Sequence, residues 1–225
     1  MEILRGNYGE VRICDCMDFD YGMGVFEDAV WSHCISDPPY GQKTQHHDGK
    51  VGGTTTHAKA KVFPKINDEK FTVDQFTEIQ RISRDQILFG GNYFEFLPHT
   101  DCWWIWDKRC KNNQACDQAD GEMALTSFKS SVRIFHHLWK GFLCNETRVH
   151  PFQKPKALWD WLFAKLHPIS VLDPFMGSGI TARKCEELGI DYIGYEIMPT
   201  NIPLIQHNID SGMKDHKIKQ LTLFS

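Results

Sequence analysis

Val171-Leu172-Asp173-Pro174-Phe175-Met176-Gly177-Ser178-Gly179, continued by Ile180 to Leu188, Gly189 and Tyr192-Ile193-Gly194-Tyr195-Glu196, is the stretch on which the fold turns. Pro168 to Leu172 reads as a strand that enters a turn. There Gly177 and Gly179 let the backbone approach a ligand with no side chain in the way. A helix over Ile180 to Leu188 follows, with Gly189 as its C-cap. Tyr192 to Tyr195 is the next strand, ending at Glu196. The helix start offers free N–H groups and the positive end of its dipole. Glu196 is placed to accept both hydroxyls of a ribose diol. The unit therefore reads as a site for a nucleoside-containing cofactor, or else as a plain strand–turn–helix whose glycines serve packing. It has no third glycine of the dinucleotide pattern and no Gly-Lys-Ser/Thr, which weakens NAD and ATP readings. Asp173 ahead of the turn favours S-adenosylmethionine, which has no phosphates and carries an ammonium that a carboxylate can receive.

Outward from this unit, the second informative stretch is Ser36-Asp37-Pro38-Pro39-Tyr40, at the end of a strand over Val30 to Ser36. Two prolines remove two backbone donors and fix two φ angles, and the residue before each is pushed to extended conformations. A carboxylate and a carbonyl then stand side by side with an aromatic ring beyond them. This suits gripping a planar molecule through an NH2 group, with Asp37 and the Pro38 carbonyl accepting and Tyr40 against the ring. Taken alone, it also reads as a proline-terminated strand and a surface turn.

The rest of the chain supplies the alternation of an α/β domain. Glu10 to Cys14 reads as a strand ending at Asp15. Thr72 to Arg84 has helical spacing, with Thr72 as N-cap. Gln86 to Phe89 and Cys102 to Trp106 read as strands, as does the segment beginning at Ser131, and Lys108 to Gly121 as a polar loop. Trp103, Trp104 and Trp106 sit in a continuous apolar run and read as core rather than as a stacking platform. Pro155 starts a helix through Leu166, and Asn201 to Asp210 reads as the last one. Residues 41–70, polar, glycine-punctuated and net positive, read as a long mobile loop suited to contact a polyanion such as DNA. The expected fold is one α/β Rossmann-like domain over residues 1–225, a mostly parallel sheet with helices on both faces.

Composition narrows the function classes. The chain has 225 residues, 41% of them hydrophobic and 24% charged, which fits a globular domain. No run of about 18 apolar residues exists to span a membrane, and Met1 to Gly6 does not read as a signal peptide. The eight cysteines lack the spacing of a disulfide framework, Cys14-x-Cys16 and Cys110-x5-Cys116 are poor zinc pairs, and reduced cytoplasmic thiols are expected. His46-His47 and His136-His137 lack ligand spacing, so no metal is assigned. The net charge is −4, unevenly spread. Residues 1–40 hold two arginines against eight acids, whereas residues 129–156 hold six basic residues against one acid and residues 41–70 six lysines against three acids. Two basic segments in an acidic chain can form a phosphate-binding face, or be ordinary loop charge.

Three motifs carry a family resemblance. Asp37-Pro38-Pro39-Tyr40, His150-Pro151-Phe152-Gln153-Lys154-Pro155 and Asp173 to Gly179 resemble signature motifs of amino-methylating DNA methyltransferases, in the permuted order of the β class. Gly90-Gly91-Asn92-Tyr93 and Trp104 to Lys108 resemble stretches of small phage-type adenine enzymes. Asp15, with Cys16 after it, looks like the acidic residue at the end of the strand that borders the cofactor adenine. The resemblance implies a methyltransferase domain that moves a methyl group from S-adenosylmethionine to adenine N6 of double-stranded DNA, in a bacterial or phage-infected cytoplasm and within a restriction-modification setting. It implies catalytic roles for Asp37, Pro38, Pro39 and Tyr40. It implies cofactor binding by Asp15, Cys16, Lys154, Asp173, Phe175, Gly177, Ser178, Gly179 and Glu196. Cytosine N4, an RNA amine or a protein amide remain alternative targets. A non-catalytic binding subunit would be expected to have lost Asp37, Tyr40 or Glu196, and all three are present. Phe152 stands where the family usually has Thr. There is no long insertion to read sequence, so reading falls to loops or to a second subunit in a homodimer.

A base inside a duplex cannot reach such a pocket and must flip out, with Tyr40 stacking on it. Residues 212–225 read as a C-terminal tail poorly held by the core. Its end, Gln220-Leu221-Thr222-Leu223-Phe224, resembles the motif by which bacterial DNA-processing proteins bind the replication sliding clamp, through Gln220, Leu221, Leu223 and Phe224. It reads equally as a hydrophobic plug on its own domain.

Overall fold

The computed structural model describes residues 1–41, 69–109, 119–139 and 153–223. Most of the 41–70 loop, His46, His47, Cys110, Cys116, His150, Pro151, Phe152 and Phe224 lie outside them. The described elements are β1 (Glu2–Arg5), β2 (Gly9–Ile13), β3 (Trp31–Ser36), α1 (Val73–Ile82), β4 (Ser83–Phe89), β5 (Trp103–Asp107), β6 (Gly121–Thr126), β7 (Arg133–His136), α2 (Lys156–Leu166), β8 (Ser170–Asp173), α3 (Ile180–Leu188), β9 (Asp191–Tyr195) and α4 (Ile202–Leu223).

The nine strands form one sheet in the order β1-β2-β9-β8-β3-β4-β6-β5-β7. β2, β9, β8, β3 and β4 run parallel, β1 and β6 antiparallel to their neighbours, and β7 parallel to β5. Successive strand residues serve opposite faces, as the two-residue period requires. Ile35, Ile87, Phe89 and Val171 pack with α2, α3 and α4, through Leu158, Leu162, Ala182, Cys185, Ile205 and Ile209. Cys34, Leu88, Leu172 and Ile193 face the other way, onto Phe76, Ile79 and Ile82 of α1. The expected fold class is the one observed, and no helix among the described residues is long and apolar enough to cross a membrane.

Helix ends follow their local chemistry. Thr72 caps α1 in a reciprocal box with Gln75. The helix stops two residues short of the expected Arg84, because Ser83 turns extended and begins β4 directly. Trp104 and Trp106 are buried as core residues of β5.

Three expectations need correction. β1 was absent from the pattern reading, being four residues at the chain start. The polar loop expected over Lys108 to Gly121 runs into a strand, β6, that the pattern does not announce, since Gly-Glu-Met-Ala-Leu-Thr is poor in β-branched residues. Residues 212–222 are not a loosely held tail: α4 continues through them. Gly212 lies within the helix and permits close packing, because a Cβ there would lie 2.4 Å from the Arg183 carbonyl oxygen of α3. The extension is tied down by Arg183–Asp215, Lys219–Glu187 and a contact between Tyr8 Oη and His216 Nε2 at 2.9 Å. Gln220 bonds His216 within the helix, while Leu221 is exposed.

Candidate active site

β8 and β3 are neighbours, but the chain leaves them in opposite directions. β8 leads through α3 to β9 on one side, and β3 leads through α1 to β4 on the other. In an open parallel sheet such a switch point leaves a crevice beyond the carboxyl ends of the strands. A pocket of about 1340 Å3, open mouth included, lies there. Asp15 and Cys16 reach it from the end of β2, Asp37 to Tyr40 from β3, Asp173 and the glycine turn from β8, and Glu196 from β9. Of the thirteen residues singled out in the sequence, twelve line it. Gly179 does not: it caps α3 at φ +86°, and a virtual Cβ there lies 2.9 Å from Ile205 Cα, so a side chain would crowd α3 against α4.

On the β8 side, Asp173 is buried and well provided with donors. Its Oδ1 accepts from Ser36 Oγ at 2.5 Å and from the Phe175 amide at 3.2 Å, and its Oδ2 accepts from Thr181 Oγ1 at 2.6 Å. Thr181 Oγ1 in turn accepts from Trp159 Nε1 at 3.0 Å. Burial outweighs these bonds and pushes the Asp173 carboxyl up to about 6. Gly177 has φ +54° and only the Phe175 carbonyl near a would-be Cβ, which leaves its face open. Glu196 Oε2 accepts from the Gly177 amide and Oε1 from the Met198 amide, both at 2.8 Å. Burial raises the Glu196 carboxyl, against the pull of those two amides. The Ser178 carbonyl accepts from Asn208 Nδ2 at 2.7 Å, fixing the turn to α4. Asp15 Oδ1 receives the Met17 amide at 2.9 Å, and the buried Cys16 sulfur lies 3.8 Å from Gln75 Nε2.

On the β3 side, both oxygens of Asp37 are engaged. Tyr40 Oη donates to Oδ1 at 2.5 Å and Lys154 Nζ to Oδ2 at 2.6 Å. The Tyr40 ring stacks on Tyr93, 4.8 Å between centroids at 30°. It also fills the space over Gly90, where a Cβ would meet Tyr40 Cε1 at 2.1 Å; with φ +68°, that position admits little else. Lys154 borders the pocket, but its ammonium is committed to Asp37 and to Glu122. Ser36 and Tyr93 lie within the stretches Ser36 to Tyr40 and Gly90 to Tyr93 with no role assigned to them, and Thr181 and Glu122 fall outside the quoted motifs. Thr181, the second residue of the helix that follows the glycine turn, carries a positional signal, and Glu122 carries none.

The donor set tests which ligand fits. Asp15, Asp37, Glu69, Asp173 and Glu196 line the pocket, and the basic side chain among them, Lys154, is already paired. Such a lining repels phosphates and favours a cationic ligand. It accommodates a ligand carrying a sulfonium, an ammonium and a ribose diol.

The DNA methylase family of N6/N4 methyltransferases matches residues 95–207, half of the chain, which takes in the glycine turn and Glu196 but not Asp37 to Tyr40. Type II methyltransferase M.HpaI of Haemophilus parainfluenzae is 35% identical over 85 residues, 36% of this chain and 26% of that enzyme. The match thus spans about a quarter of that curated relative. Among solved structures, the PvuII DNA methyltransferase (cytosine-N4-specific) superposes with a TM-score of 0.55 at 12% identity, over 94% of this chain and 92% of that one. The M1.HpyAVI–SAM complex does so with 0.51 at 17% identity, over 88% and 98%. These two likenesses are likenesses of fold.

Proposed function

The chain belongs to the DNA methylase family of N6/N4 methyltransferases, and from that premise we propose that it transfers a methyl group from S-adenosylmethionine to N6 of a flipped-out adenine in double-stranded DNA. The carrying observation is that the Asp37–Tyr40 turn and the acid-flanked glycine turn open into one pocket. Bound there, S-adenosylmethionine supplies an activated methyl group on a sulfonium. Asp173 would receive the ammonium of its tail, Glu196 the ribose diol, and Asp15 would border its adenine.

The lone pair of the target amine is delocalised into its ring. Hydrogen bonds from that amine to Asp37 and to the Pro38 carbonyl favour a tetrahedral nitrogen whose lone pair points at the methyl group. The protein contributes alignment and electrostatic stabilisation. Asp37 need not be a strong base, because the amine proton becomes acidic only once the carbon–nitrogen bond has formed. Adenine is preferred through the family resemblance of Asp before Pro-Pro-Tyr. Cytosine N4 is the second reading, since it offers the same planar amine. Expression in cells lacking DNA methylation, followed by mapping of modified bases, is the test. N6-methyladenine is expected, N4-methylcytosine would replace the target, and an unmodified genome would overturn the activity.

Two consequences are measurable. Tyr40→Phe keeps the ring on Tyr93 and removes the hydroxyl that occupies Asp37 Oδ1, so kcat should change by less than about tenfold. Tyr40→Ala loses base stacking, worth about 1–3 kcal/mol, so it should fall much further. Equal losses would place the hydroxyl, not the ring, at the centre of the role.

Cofactor affinity should also depend on pH through Asp173. Its carboxyl sits near 6 in the folded protein, above the ordinary carboxylate value. A bound ammonium favours the ionised form, so binding releases a proton below that pH. Affinity should be flat above about pH 7 and fall by up to tenfold per unit as pH drops below 6. Asp173→Asn should bind weakly at every pH with the slope removed, as calorimetry between pH 5 and 8 would show.

A further inference from the structure

Behind the β3 side of the pocket, four charged side chains from separate parts of the chain form a continuous row. Lys154, just ahead of α2, pairs with Asp37 Oδ2 at 2.6 Å and with Glu122 Oε2 at 2.8 Å. Glu122, the second residue of β6, places its other oxygen on the ammonium of Lys108, which follows β5. The Lys154 side chain is 8% exposed, and its Nζ lies 5.5 Å from the centre of the Phe89 ring. A lysine buried among strands costs much desolvation, and an apolar replacement would often serve stability as well. Its placement therefore calls for a reason other than stability. The row ends on the carboxylate that is to receive the target amine, and it holds the oxygen on the far side of that carboxylate from the Tyr40 hydroxyl.

We propose that Lys154, backed by Glu122 and Lys108, is a positioning group for methyl transfer: it pins Oδ2 of Asp37 and presents Oδ1, as an ionised acceptor, to the amine of the base. This rests on the function proposed above. Burial raises the Asp37 carboxyl, Lys154 pulls it down, Glu122 pushes it up, and the Tyr40 hydrogen bond lowers it. Among the described residues, the further charged or titratable neighbours are Asp173 at the end of β8, Lys108 behind Glu122, and Tyr93 against Tyr40. The balance is thus set by an amine and an acid of opposite effect. Without Lys154, burial and Glu122 act unopposed except by Tyr40. Without the charge of Glu122, the whole attraction of Lys154 falls on Asp37.

The two substitutions should therefore move Asp37 in opposite directions, which loosened packing would not do. In the full chain, the Asp37 carboxyl carbon would be followed by NMR and assigned by its loss in Asp37→Asn. The acid limb of kcat on duplex DNA would be recorded beside it. Lys154→Met should raise the titration midpoint and move the acid limb up together, by about one to three units, with the Kd for S-adenosylmethionine within about twofold. Lys154→Arg should restore most of the shift. Glu122→Gln should move both midpoints down. Shifts in the same direction, or an acid limb that stays in place while kcat falls, would overturn the assignment. If Lys154→Met does not fold, the downward shift in Glu122→Gln decides. An inactive wild-type protein would sink the functional reading alone, because the NMR titration still reports whether Lys154 and Glu122 set the state of Asp37.

Discussion

Asp37→Ala should lower methyl transfer by about 10²- to 10³-fold, the usual cost of removing a group aimed at developing charge, and leave cofactor affinity within about twofold. Asp37 hangs from β3 and is bonded to Tyr40 and Lys154, with no bond to the glycine turn or to Glu196. The two halves of the pocket are built from different crossovers of the sheet, so the cofactor half should stand without it. The substitution leaves Lys154 with Glu122 alone, and some thermal stability should be lost with the second partner. Asp37→Asn controls for this by keeping the shape of the side chain without its charge. Single-turnover methylation of duplex DNA and calorimetry with S-adenosylmethionine, on protein shown folded by thermal melting, give the answer. A cofactor affinity that falls along with activity would mean that Asp37 belongs to the cofactor and not to the target amine.

Much of this arrangement is written locally, and that part was legible. The helix over Ile180 to Leu188 with its Gly189 cap, the Thr72 cap and the strand ends at Asp37, Asp173 and Glu196 each depend on a few adjacent residues. Harder to read were features that exist only once distant segments meet. Glu122 looks like loop charge until β6 inserts antiparallel between β4 and β5 and carries it against Lys154. Lys154 itself reads as a phosphate or cofactor contact, because a lysine in a motif offers no sign of which carboxylate will claim it. Gly179 reads as a place where the backbone approaches a ligand, and Gly212 carries no reading of its own. In the fold, each also makes room for a neighbouring helix, α4 in the first case and α3 in the second. The donors to Asp173 come from β3 and α3 and pull its carboxyl down, while burial where those elements meet raises it further, so its state cannot be read from the local motif.

Glu196→Ala should weaken cofactor binding by two mechanisms that an analogue can separate. The first is direct. Each Glu196 oxygen already accepts one backbone amide at 2.8 Å, the Asn201 side chain adds a further donor, and the lone pairs that remain can take ribose hydroxyls. Losing a pair of charge-assisted bonds costs on the order of 2–3 kcal/mol, or roughly thirty- to a hundred-fold in Kd. The second is indirect. Without the carboxylate the part-buried Gly177 amide loses its acceptor, and the turn that faces the cofactor is free to shift. Glu196→Gln should be no gentler than the alanine, since one end of a glutamine amide must turn an NH2 toward either the Gly177 or the Met198 N–H. Comparing S-adenosylmethionine with its 2′-deoxyribose analogue isolates the direct part. The wild-type protein should discriminate between them, whereas Glu196→Ala should bind both with nearly the same weakened affinity. Undiminished discrimination in the variant would place the diol on another acceptor and leave Glu196 as the clasp of the turn, and an unchanged Kd for the cofactor itself would remove Glu196 from the site.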